Sequence, residues 1–155
     1  MQLFPDVQSL VEQENVEQLH TQLLQNPADG RVKLFLLYKA LNVRKELHEL
    51  FSKGDYQPLT VTGRHKTHIL AFARKHEAQW CLVVVPRLLA QVISENELPL
   101  GQQVWEDTAL TLPDDAPINW QPVFGPQQVT ASENTLFISD VLATFPVALL
   151  TATTA

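Results

Sequence analysis

Eight of the ten prolines in this 155-residue chain follow residue 55, and that asymmetry divides what the sequence can fold into. Proline donates no backbone hydrogen bond and cannot continue a helix, so it is admitted at turns, sheet edges and helix starts. The stretch before residue 55 is free to form helices. The stretch after it must run as short segments between turns. The sequence therefore predicts an α+β chain: two N-terminal helices followed by an antiparallel β-sandwich. The division falls into a helical segment, 1–54, and a β-domain, 55–155.

The first helix is expected from an N-cap at Asp6 to about Gln25, with Val7, Leu10, Val11, Leu19, Leu23 and Leu24 at helical spacing. Asn26-Pro27 stops it. Asp29-Gly30 opens a second helix, about Arg31 to Phe51, and Lys53-Gly54 closes it. Leu34, Leu37, Tyr38 and Leu41 define its apolar face. Phe35 and Leu36 widen that face, so this helix wants burial on more than one side. Tyr56 to Thr62 then alternates around Pro58. Thr67–Arg74 and Gln79–Pro86 read as a hairpin whose second strand is central and well buried. Shorter strands are expected at Gln103–Glu106, Ala109–Leu112, Trp120–Phe124 and Thr135–Ile138. A short helix capped by Ser139 or Asp140 follows, then a closing strand, Pro146–Thr151.

All eleven Lys and Arg residues lie at or before Arg87, and the net charge is -6. From Leu88 onward every charged residue is acidic. Such a surface repels phosphate backbones, which argues against nucleic-acid binding and against a polybasic membrane patch. No apolar run is long enough to span a bilayer. The one cysteine, Cys81, allows no internal disulfide and sits in an apolar run that suits a core residue. The opening Met1-Gln2-Leu3-Phe4-Pro5 has no basic stretch followed by an apolar one. A cytoplasmic protein is the expectation.

Candidate chemistry is sparse. His65 and His68 form an HxxH pair with His76 beyond the next turn, but Arg64 and Lys66 oppose a cation there; a solvated rim is the expectation, with no metal and no cofactor. Asp114-Asp115 and Glu106-Asp107 are adjacent carboxylates. Glycoside hydrolysis instead needs two carboxylates on opposite sides of the scissile bond. Trp80, Trp105 and Trp120 offer flat faces that suit a pyranose ring, or a core. Trp80 reads as core, and Trp105 and Trp120 stand as the candidates for glycan stacking. No Walker, GxGxxG or GxSxG motif occurs.

Two stretches carry a resemblance. One runs Asp29-Gly30-Arg31-Val32-Lys33-Leu34-Phe35 through Lys39-Ala40-Leu41, Arg44-Lys45-Glu46 and Leu50-Phe51 to Gly54-Asp55-Tyr56-Gln57-Pro58-Leu59. It is similar to the α-amylase-superfamily segment where the last barrel helix leads into the C-terminal β-domain. The second comprises His68-Ile69-Leu70-Ala71-Phe72-Ala73-Arg74, Val84-Val85-Pro86-Arg87, Pro99-Leu100-Gly101 and Phe145-Pro146-Val147-Ala148-Leu149-Leu150. Together, and in this order, they resemble the extreme C-terminus of maltooligosyltrehalose synthases. That family moves the reducing-end glucose of a malto-oligosaccharide from an α-1,4 to an α,α-1,1 linkage, in trehalose formation. Its catalytic carboxylates lie on loops of the barrel, upstream of the matching region, so the resemblance carries no catalytic residue onto this chain. It implies a non-catalytic C-terminal β-domain whose partners are the barrel, in cis or in trans, and malto-oligosaccharide through the whole enzyme. Arg31, Lys33 and Arg87 match its motifs and are expected in structural ion pairs. The second helix would pack on the barrel; without it, the helices would fold back on the sandwich or self-associate through their apolar faces. A stand-alone α-glucan-binding or protein-interaction module is the alternative.

Overall fold

A computed structural model describes residues 16–25 and 29–154. The helices are α1 (Val16–Gln25), α2 (Arg31–Glu46), α3 (His48–Lys53), α4 (Gly101–Trp105) and α5 (Ile138–Val141). The strands are β1 (Asp55–Pro58), β2 (Thr60–Thr62), β3 (Ile69–His76), β4 (Gln79–Pro86), β5 (Ala109–Thr111), β6 (Asn119–Pro122), β7 (Val129–Thr130), β8 (Thr135–Phe137) and β9 (Ala148–Thr153). The expected N-cap at Asp6, the apolar positions Val7, Leu10 and Val11, and the stop at Asn26-Pro27 lie outside the described residues.

The chain is α+β, as the proline distribution implies. Two antiparallel sheets face each other, one of six strands in the order β1-β3-β4-β9-β6-β7 and one of three in the order β2-β5-β8. Helices α1 to α3 cover the other face of the larger sheet, giving three layers. The β3–β4 hairpin forms, its second strand as read and its first shifted two residues later, with Ile69 opposite Pro86 and His76 opposite Gln79. Its turn places Glu77 in the left-handed region, at φ 53°. β4 lies between β3 and β9 and is central.

The continuous apolar run of β4 now has its cause. Trp80, Leu82 and Val84 point into the core between the sheets, whereas Cys81 and Val83 point into the core beneath the helices. Side chains alternate along a strand, so a strand covered on both faces must be apolar at every position. β9 behaves alike, sending Ala148 and Leu150 to the first core and Leu149 to the second.

Tyr56 to Thr62 divides between the sheets: β1 pairs with β3 in one, β2 with β5 in the other. Pro58 and Leu59 form the corner, where the Leu59 N–H still reaches the Ala71 carbonyl at 3.1 Å. Gly63 follows at φ 87°, and a Cβ there would lie 2.5 Å from the Asp107 carbonyl oxygen.

The second helix starts where Asp29-Gly30 places it. The Asp29 carboxylate accepts the Arg31 N–H at 2.9 Å, and Gly30 takes φ 84°. It does not run unbroken to Phe51. Leu47, at φ -99° and ψ 42°, separates α2 from α3. The stop at Gly54 holds, because a Cβ there would collide with the Leu50 carbonyl. Arg74 clamps this end by donating to the Gly54 carbonyl at 2.9 Å.

Three local expectations are corrected. Gln103–Glu106 is not a strand; most of it belongs to helix α4. The turn is compact because the Trp105 indole N–H donates back to the Pro99 carbonyl at 2.9 Å. Helix α5 has Phe137 at its N-cap without a side-chain cap, so neither Ser139 nor Asp140 starts it. The expected face of α2 is also not, as a whole, the covered one. Phe35 is buried, with Val32, Leu34, Leu36, Ala40 and Val43 packed around it, so that of the expected face Leu34 is covered while Leu37 and Leu41 are 48% and 58% exposed.

Candidate functional site

The tryptophans lie inside. Trp80, Trp105 and Trp120 are each 0% exposed. Trp80 and Trp120 meet edge to face between the sheets, with centroids 6.4 Å apart. Trp105 is held by its bond to Pro99 and by the edge of His65, 6.2 Å away. A ring without a free face cannot stack on a sugar, so Trp105 and Trp120 are core residues and the stacking role read for them does not stand. Apolar neighbours on both sides of a short strand or turn outweigh any signal the indole itself gives. The exposed aromatics are elsewhere: Tyr56 is 57% exposed and sits 5.0 Å, centroid to centroid, from Phe72.

The carboxylate pairs are engaged singly. Glu106 receives the Arg64 guanidinium at 2.9 and 3.1 Å, and Asp107 accepts the Arg64 backbone N–H at 2.9 Å. Asp115 pairs with Lys75, which holds its carboxyl below the usual range, and Asp114 accepts the Asn134 amide at 2.9 Å. Each clips one loop to another, which is a structural use.

His65 and His68 do come together, with ring centroids 5.9 Å apart. His65 lies 3.9 Å from a Glu106 oxygen that Arg64 already occupies. Among the described residues no three His, Cys, Asp or Glu side chains are placed to share a metal ion. Of the three motif cations, Arg31 forms its ion pair with Asp29 at 2.6 Å. Arg87 donates instead to the Thr67 carbonyl at 2.9 Å, and Lys33 is exposed without an ion pair among the described residues. Cys81 is fully buried, and burial pushes its thiol up to about 12. A thiol so placed is inert at neutral pH.

Among the described residues, two of the concavities on the helix-bearing side are walled as follows. One, of about 320 Å³, lies between β7, α5 and the start of β9, with Gln128, Asp140, Thr144 and Phe145 in its wall. The other, of about 450 Å³, lies beside α1 and is bordered by His20, Leu24, Leu98, Leu100, Pro126 and Thr144. Neither gathers a set of opposed carboxylates.

What the arrangement offers is surface. Helix α2 carries one apolar face against the sheet, through Phe35, and a second on its opposite side, through Leu37 and Leu41. At the β1 edge of the large sheet, Tyr56, Leu70 and Val85 are 57%, 46% and 38% exposed, on the face that the helices cover farther along. No described helix is long and apolar enough to cross a membrane.

No protein-family model matches the chain, and no curated protein matches it in sequence. Among solved structures, a mutant of maltooligosyltrehalose synthase from Arthrobacter ramosus is similar in fold, with a TM-score of 0.55 and 21% sequence identity. The match covers 85% of this chain and 16% of that one. This chain therefore spans a small part of that enzyme's length, and the likeness is one of fold.

Proposed function

We propose that this chain is the non-catalytic C-terminal part of a maltooligosyltrehalose synthase, the enzyme class that turns the reducing-end α-1,4 linkage of a malto-oligosaccharide into an α,α-1,1 linkage. The observation that carries the reading is the second apolar face of α2. A helix that already packs on its own sheet through Phe35, yet presents Leu37 and Leu41 to solvent, is built to lie between two bodies. In this reading residues 1–54 are the end of a catalytic barrel domain and 55–155 the β-domain that braces it. The ordered motifs from Asp29 to Leu150 and the shared fold support the same assignment.

The barrel would supply the carboxylates and the malto-oligosaccharide site, joined in cis or added in trans. This chain would contribute packing, and a border to the cleft. A cytoplasmic location goes with the reading, since the single cysteine allows no disulfide framework. The deciding experiment is to sequence the coding DNA upstream of the Met1 codon. An open frame encoding a (β/α)₈ barrel with its carboxylates is the expected result. An in-frame stop, together with failure of any separately encoded barrel to bind the chain, would overturn the proposal.

A stand-alone α-glucan-binding module is the second reading, and the exposed Tyr56 ring beside half-buried Phe72 favours it. It predicts saturable heat on titration with maltoheptaose, abolished by Tyr56→Ala. A flat titration removes it.

A further inference from the structure

His20 is a buried titratable group with no part in the reading above. It sits on α1, 5% exposed, at the border of the concavity beside that helix. Its ring lies edge-on to Phe35 at 6.1 Å and tilted against Phe145 at 4.9 Å. The Phe124 backbone accepts a hydrogen bond from the ring, and Nε2 is enclosed with no partner among the described residues.

That environment fits the neutral imidazole. An imidazolium carries a second N–H that needs an acceptor, and a buried charge needs an opposite one. On α2 the ionisable group that acts on His20 is Lys39, a cation. The segment 123–126 brings Val123, Phe124, Gly125 and Pro126, and the segment 144–145 brings Thr144 and Phe145; none of these side chains ionises. On α1 itself, the described side chains around it, Leu19, Thr21, Gln22, Leu23, Leu24 and Gln25, are neutral. Burial lowers the His20 affinity for a proton, the Phe124 carbonyl offsets part of this, and Lys39 lowers it further.

Among its described side chains, α1 docks through Leu19, His20, Leu23 and the partly buried Leu24. Its anchors are Leu19 and Leu23, 5% and 0% exposed, with His20 between them.

We propose that α1 is a proton-released latch: protonation of His20 undocks Val16–Gln25 from Phe35, Phe124 and Phe145 and opens the apolar layer between α2 and the large sheet. The direction follows from linkage. Undocked, His20 titrates near its ordinary value of about 6.5; docked, it titrates lower. Well above that value His20 is neutral in both states and the docked state keeps its full stability. As pH falls below it, the undocked form takes up a proton that the docked form refuses. The undocked-to-docked ratio then rises by up to about tenfold per pH unit, and levels off once pH passes the docked value.

The test is an NMR titration of the chain from pH 7.5 to 4.5, following the histidine Cε1–H and the Leu19 and Leu23 methyl signals. The expected result is that the Leu19 and Leu23 methyls move to unfolded positions as His20 takes its proton, while the Trp80 and Trp120 indole signals stay in place. His20→Phe and His20→Gln are expected to keep α1 docked to pH 5. Loss of α1 at the same pH in His20→Gln would overturn the proposal, as would full titration of His20 in the parent chain with Leu19 and Leu23 unmoved. The parent titration decides even if His20→Phe fails to fold.

Discussion

Truncating the two faces of α2 separately measures which one this chain itself covers. Phe35 is 1% exposed and makes ring contacts with Phe145 at 5.5 Å, Phe124 at 6.1 Å and His20 at 6.1 Å. Phe35→Ala leaves a void that these rings cannot close, and such changes cost about 3–5 kcal/mol. The aromatic contacts place the value toward the middle, about 4 kcal/mol. Leu41, one face away, is 58% exposed. Leu41→Ala removes little buried surface and substitutes a better helix former, so its effect lies within about 0.5 kcal/mol of zero. With a urea slope of about 2 kcal/mol per M, Phe35→Ala lowers the midpoint by about 2 M and Leu41→Ala leaves it in place. Far-ultraviolet circular dichroism follows the helices, and tryptophan fluorescence follows the inter-sheet core; coincident curves would establish that the layers unfold together. Equal shifts for the two variants, or less than about 1 kcal/mol for Phe35→Ala, would refute the assignment of faces.

Two further outcomes rest on local geometry. Gly63→Ala places a Cβ against the Asp107 carbonyl and the Thr108 Cα at φ 87°. A loss of about 2 kcal/mol and a melting temperature lower by about 4–8 °C are expected by calorimetry; an unchanged melting temperature contradicts the close approach. Cys81, buried with its thiol pushed up to about 12, should react with a disulfide reagent at pH 8 at least about 100-fold more slowly in the native chain than in urea. Equal rates would show that the β4 layer opens freely.

The β3–β4 hairpin was legible because a strand covered on both faces has no polar positions to blur it. The start of α2 and the end of α3 were legible because Asp29-Gly30 and Lys53-Gly54 act through local backbone geometry. The covered face of α2 was not. Leu37-Leu41 and Val32-Phe35-Leu36-Ala40-Val43 both fit helical periodicity, and only tertiary contact with Phe124 and Phe145 chooses between them. The burial of Trp105 and Trp120 was hidden for a related reason. Each sits in an element of five residues or fewer, too short to display a period. The two-residue strand β7 left no signal at all. His20 was missed because its significance lies wholly in partners far along the chain: Phe35, Phe124 and Phe145.

β9 is the latest strand in the sequence, yet it lies between β4 and β6 in the middle of the large sheet. Its register pairs Gln79 with Thr153 and Gln121 with Thr151. During synthesis, therefore, the β3–β4 hairpin and the β6–β7 pair emerge as two half-sheets with facing open edges. Neither edge can close until residues 148–153 clear the ribosome. A nascent chain stalled before that point would carry two unpaired β edges, the kind of surface that chaperones shield and that neighbouring nascent chains can capture.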